Sequence, residues 1–183
     1  MRRNGSSCPE LALPVASLQA LRGALEAEVG VDAAARALRH AGHAAGDALF
    51  PLLGIAGEVE ATPGDLPEDA FWHRVTDLFA ARGWGRIEFQ ALHPGLGALD
   101  ASDWLEADPA LGRLRPSCHF TTGVLANLLG RTAGDAMGVL EVECRSRGDL
   151  RCRFLFGGRD ALEAVHEALA RGQDLETTLG QLV

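Results

Sequence analysis

Cys118, Glu141, Cys144 and Cys152 fall in a C-x22-E-x2-C-x7-C pattern, three sulfur donors and one carboxylate, a set that suits a single zinc ion. Four protein ligands fill a tetrahedral zinc and leave no open position for water or substrate, so the expected role is structural rather than catalytic. Three thiolates and a carboxylate bring four negative charges against two on the metal. Arg145, Arg147, Arg151 and Arg153 flank them, either as electrostatic support or as a solvated strand face. His119, next to Cys118, is an alternative ligand. The competing readings of the three cysteines are buried inert thiols and redox chemistry. A two-disulfide scheme is disfavoured, because the fourth cysteine, Cys8, sits far away in a Pro- and Ser-containing stretch.

For these donors to meet, the chain between them must fold back on itself. Met137 to Cys144 and Leu150 to Phe156 read as paired strands around the loop Arg145-Ser146-Arg147-Gly148-Asp149, and that hairpin brings Cys144 and Cys152 together. Cys118 arrives from the start of a helix spanning Cys118 to Leu129, with Phe120, Val124, Leu125 and Leu128 as its apolar face and Gly130 at its end. Glu141 and Cys144 lie three apart. On a regular strand they point to opposite faces, so the chain must twist, bulge or leave the strand between them.

Upstream, Leu18, Leu21, Leu25 and Val29 mark a first helix over 17–29, with Ser17 as N-cap and Gly30 beyond its end. Asp32 opens a second helix with a buried stripe of Ala35, Leu38, Ala41 or Gly42, Ala45 and Leu49; Pro51 ends it. Its many Ala and Gly residues either admit a neighbour closely or thin a wall to leave room for a ligand. Pro67 opens a third helix that buries Phe71, Val75, Leu78 and Phe79, and Gly83 stops it. Trp84 to Leu92 alternates as a half-buried strand, a turn follows at His93-Pro94-Gly95, and residues 98–106 form a second strand carrying Trp104. A last helix runs from Asp160 to Ala170 and continues weakly.

The 183 residues suit one domain, expected over 17–170, between a frayed tail at 1–16 and an extension at 171–183. A net charge of −8 argues against direct nucleic-acid binding. No run approaches the roughly 20 apolar residues that span a bilayer, and the first residues are too broken by Pro9, Glu10 and Pro14 for a signal segment. A cytoplasmic protein is expected.

Cys118-His119-Phe120, Gly123, Glu141-x-Glu143-Cys144, Gly148-Asp149 and Cys152-x-Phe154 together resemble the 4-vinyl reductase domain family, with weaker likeness through Gly42, Gly46, Gly83 and Asp103-Trp104-Leu105-Glu106-Ala107. The resemblance implies an α+β fold, helices packed on an antiparallel sheet with a zinc-bound C-terminal hairpin, shared with subunits of vesicle-trafficking complexes. It implies binding of small hydrophobic or aromatic molecules and a homodimer. Phenol-sensing members hold zinc with Cys, Glu, Cys and Cys at this spacing, which assigns Cys118, Glu141, Cys144 and Cys152. They hold the phenol hydroxyl with a tryptophan and a histidine; Trp104 is similar to the former, while the histidine's place falls near Phe79. A pocket is therefore expected among Phe79, Trp84, Trp104, Phe120 and Val124, with His43 or His119 as polar contacts.

The leading functional expectation is a zinc-containing sensor or carrier without catalytic residues, its signal passing through a partner protein or a dimer interface. The alternatives are an enzyme or accessory factor in bacteriochlorophyll vinyl-group reduction, and an assembly module similar to the trafficking subunits. For the enzyme, no dinucleotide-binding G-x-G-x-x-G follows a strand.

Overall fold

The computed structural model describes residues 10–56 and 59–181. The expected tail as far as residue 9, with Cys8, lies outside the described residues. Two helices come first, α1 (Val15–Val29) and α2 (Val31–Leu53), separated by Gly30. Two-residue strands β1 (Ile55–Ala56) and β2 (Val59–Glu60) pair with each other. Then follow α3 (Glu68–Ala80), β3 (Glu88–His93), β4 (Leu96–Ala101), α4 (His119–Ala133), β5 (Gly138–Glu143), β6 (Cys152–Gly157), α5 (Arg159–Ala170) and α6 (Leu175–Leu179).

Strands β3 to β6 form one antiparallel sheet in the order β3-β4-β6-β5, two hairpins joined along β4 and β6. Because side chains alternate along a strand, the sheet divides its apolar residues between two faces. Leu99, Ala101, Cys152 and Phe154 face the main core with Leu53, Phe79, Leu125 and Leu128 from the helices. Leu96, Ala98, Val142 and Leu155 turn the other way, under Leu162 and Val165 of α5. Every residue of β4 is buried, as befits a strand covered on both sides. The architecture is the expected α+β one.

The small residues of α2 serve close packing. A Cβ on Gly42 would drive into the Phe120 carbonyl of α4, one on Gly123 of α4 would drive into the Arg39 carbonyl of α2, and one on Gly46 would meet the Asn127 side chain. Backbone cannot rotate away as a flexible side chain can. Gly42→Ala should therefore exceed the usual overpacking cost of about 1–3 kcal/mol, measured as a lower midpoint in urea unfolding. An unchanged midpoint would mean that the two helices are not so close.

Several boundaries differ from expectation. The N-cap of α1 is Pro14 rather than Ser17, and its buried residue is Arg22; Leu21 and Val29, expected in the core, are 61% and 48% exposed. Pro51 lies inside α2, since its missing N–H removes a bond only at the last turn and the Gly54 N–H still closes on Pro51 O at 3.2 Å. Gly130 does not end α4, which runs on to Gly134; it is small because the Asp135 carbonyl folds over it. Helix α3 stops at Ala80, short of Gly83, and β3 starts at Glu88 rather than Trp84.

Strand β4 ends at Ala101, so Trp104 sits in a loop. That loop is nonetheless fixed: the Leu105 N–H donates to Trp84 O at 2.9 Å and the Arg86 N–H to Asp103 Oδ1 at 2.9 Å. Gly85, at φ 119°, admits Asp103 where a Cβ would meet its carboxylate oxygen at 2.8 Å.

Candidate functional site

The β5–β6 hairpin and the start of α4 bring Cys118, Glu141, Cys144 and Cys152 together, with one donor atom from each within 4.8 Å of all the others, and all four buried. Cys118 is the N-cap of α4 and Cys152 opens β6. The three-residue offset between Glu141 and Cys144 is resolved by an irregularity of β5 between Glu141 and Glu143, after which Cys144 leaves the strand. A short 3₁₀ turn, Arg145–Arg147, then returns the chain through Gly148 at φ 100°. The Asp149 carboxylate secures this turn by accepting the Cys144 N–H at 2.7 Å.

Cys118 Sγ lies 3.9 Å from both Cys144 Sγ and Cys152 Sγ. A disulfide needs about 2.05 Å, whereas sulfurs around a tetrahedral ion at about 2.3 Å stand about 3.8 Å apart, so the spacing fits a shared metal. Glu141 Oε2 accepts the Cys118 N–H at 2.8 Å. Its Oε1 is buried without a hydrogen-bond partner, an orphan that a cation at the centre would satisfy.

The electrostatics point the same way. Burial, then the Cys144 charge, raises the Glu141 carboxyl well above its ordinary value. Hydrogen bonding to Cys144 and Cys152, then burial, raises Cys118. Cys152 is pulled down by Cys118 but raised further by Cys144 and by burial, while hydrogen bonds from Cys118 and Cys152 drive Cys144 far down. The group on its own thus keeps protons on three donors, which a metal ion would displace.

The flanking arginines are engaged elsewhere. Arg147 pairs with Asp149 at 2.7 Å, Arg151 with Glu143 at 2.8 Å, and Arg153 with Asp100 at 2.7 Å, while Arg145 Nη1 reaches the Trp104 carbonyl at 3.4 Å. Their charge is answered by carboxylates on the sheet and its loop. A surface recess at the hairpin turn is lined by Glu143, Gly148, Asp149, Leu150 and Arg151 and includes none of the four donors.

Beside the donor group lies an aromatic cluster. The Trp104 ring, fully buried, is edge-on to Phe79 at 5.2 Å and to Phe154 at 6.3 Å, and Trp84 bridges Trp104 at 5.9 Å to Phe120 at 5.5 Å. Val124 is buried in the same core. The two histidines sit differently. His43 is exposed, 3.2 Å from the Asn127 amide. His119 is half-buried with Nδ1 3.4 Å from Arg39; burial, then Arg39 and Arg22, hold its pKa down to about 4 and keep it neutral.

Sequence reasoning missed a buried polar chain tying these parts together. Trp104 Nε1–H donates to Thr121 Oγ1 at 2.8 Å, and the Thr121 hydroxyl donates to Glu106 Oε2. Glu106 also accepts the Thr121 N–H at 2.8 Å, the Phe120 N–H at 3.0 Å and Arg22 Nη2 at 2.6 Å. It caps the free N–H groups of the first turn of α4 from a distance and sits at the positive end of that helix. Burial pushes the Glu106 carboxyl above its usual value; Arg22 and Thr121 oppose the shift. The Asp103-Trp104-Leu105-Glu106-Ala107 run carried a signal for Glu106. Arg22 carried none, being an ordinary basic residue between leucines.

Residues 106–157 match the model of the 4-vinyl reductase domain. No curated protein sequence matches the chain. The phenol-responsive sensory domain of the transcription activator PoxR, crystallised with phenol, is similar in structure with a TM-score of 0.70 at 19% identity, over 90% of this chain and 84% of that one. A vinyl-4-reductase family protein from Methanocaldococcus jannaschii is similar with a TM-score of 0.53 at 19% identity, over 81% of this chain and 82% of that one. Residues 106–157, which hold all four metal donors, therefore belong to the 4-vinyl reductase domain family, within a fold that this chain shares with both of those structures.

Proposed function

We propose that this chain is a ligand-binding sensor or carrier module stapled by zinc. Cys118, Glu141, Cys144 and Cys152 would hold the ion, and when bound it would cross-link the start of α4 to the hairpin, all four positions being filled by protein. A small hydrophobic or aromatic molecule would be taken up among Phe79, Trp84, Trp104 and Phe120 with Val124, and His43 and His119 are the candidate polar contacts of that reading. The observation that carries it is the sharing of one helix start: Cys118 donates to the metal group two residues before Phe120 joins the rings. Ligand uptake that moves the rings would thus press on a rigid, cross-linked element.

The likeness to a phenol-responsive sensory domain supports an aromatic ligand. The exposed Leu21 and Val29 of α1 support a homodimer through that helix, with the signal passing across it or to a partner protein. Among the described residues no helix is long and apolar enough to cross a membrane.

The test is a titration of the purified protein with toluene, followed by calorimetry, with metal content measured alongside. Trp104→Leu should weaken toluene binding by about tenfold or more while metal content stays at the wild-type level. Undiminished binding, or loss of the metal together with the ligand, would refute the division of labour between rings and donors.

A further inference from the structure

We infer that Thr121 makes this site selective for aromatic hydrocarbons over phenols, by occupying the one donor that the central tryptophan could offer a hydroxyl. The inference rests on the ligand-binding reading above and names the ligand class for that same site.

An indole has a single N–H, and that of Trp104 is already donated to Thr121 Oγ1 at 2.8 Å, with both residues buried. Thr121 has a single hydroxyl proton, and it goes to Glu106 Oε2. No donor remains on either group for a ligand oxygen. The acceptor side is nearly full as well. Glu106 Oε1 accepts from Arg22 and the Phe120 N–H, and Oε2 from the N–H and the hydroxyl of Thr121, which accounts for about four lone-pair sites of a carboxylate. The only acceptor left is the second lone pair of Thr121 Oγ1.

Arg22 keeps Nε and Nη1 without partners. The Glu106 carboxylate stands between them and the indole, however, since it meets Arg22 with Oε1 and Thr121 with Oε2. A phenol entering among the rings would have to break the Trp104–Thr121 bond or bury its hydroxyl poorly paired, while toluene meets only ring faces and edges. Phe79, Trp84, Phe120 and Phe154, the rings around Trp104 and Trp84, bring no hydrogen-bonding hydrogen beyond the Trp84 indole.

The experiment compares toluene and phenol binding to the full chain, metal content verified, for the wild type and for Thr121→Val. Wild type should prefer toluene by roughly tenfold to a hundredfold, the range over which an apolar site rejects an added hydroxyl. Thr121→Val removes the indole's partner and leaves a buried N–H that a phenol oxygen can satisfy, so the toluene-to-phenol ratio should fall by about tenfold. Equal or tighter phenol binding by wild type overturns the inference, whether or not the variant folds. So does a ratio unchanged in a folded Thr121→Val protein. Binding of neither compound by wild type overturns the ligand-binding reading itself and the inference with it.

Discussion

Cys152→Ser should strip the metal from the purified protein and lower its melting temperature by roughly 10–20 °C. A serine oxygen is a poor match for a site whose other donors are two sulfurs and a carboxylate, and the remaining buried donors are then left without the cation that their arrangement suits. Structural zinc contributes about 10–16 kcal/mol in small zinc-binding peptides. A domain of this size has a core of its own, so a loss of about 5 kcal/mol is the more reasonable expectation, and at about 2–4 °C per kcal/mol that gives the shift stated. Elemental analysis and a melting curve on one preparation check it. Full metal content with an unshifted midpoint would show that Cys152 is one of the inert buried thiols.

Glu106→Ala should be the most destabilising change outside the metal group, by about 3–5 kcal/mol, or roughly 6–20 °C. It leaves the Arg22 guanidinium, 1% exposed, without its partner at 2.6 Å, and it frees the Phe120 and Thr121 N–H groups at the start of α4. Breaking a buried pair from one side strands the other charge, whereas replacing both costs less. Arg22→Met combined with Glu106→Ala should therefore be more stable than Glu106→Ala alone, in a double-mutant cycle followed by urea unfolding. If the double variant is the weaker of the two, the cost lies in the helix cap rather than in the stranded arginine.

These two sites were not equally legible in the sequence. The metal donors cluster within 35 residues, and their spacing is produced by local structure, a hairpin and a helix start, whose turn residues such as Gly148 are visible in the chain. Even the awkward Glu141–Cys144 offset announced the irregularity that β5 contains. The aromatic residues were legible as apolar, and Phe79, Trp84, Trp104 and Phe120, which the resemblance grouped, are neighbours in the fold.

Arg22 was illegible for a definite reason. The leucine spacing of α1 assigns the core to Leu21 and Val29, yet the burial of that helix is decided by Glu106, 84 residues away, together with Gln19, which donates to the Glu106 carbonyl at 3.2 Å. Periodicity registers apolar faces and is blind to a polar partner of that kind. Pro51 and Gly130 misled in the opposite sense. Each is a local breaker, and each is tolerated because of what surrounds it: a helix about to end, and a carbonyl that needs the space of a missing side chain.

X-ray absorption at the zinc edge of the purified protein tests the central claim most directly. The account calls for one zinc per chain with three sulfur neighbours at about 2.3 Å and one oxygen at about 2.0–2.2 Å. A protein prepared in the presence of zinc that holds none, or a shell containing nitrogen in place of one of these donors, would contradict it.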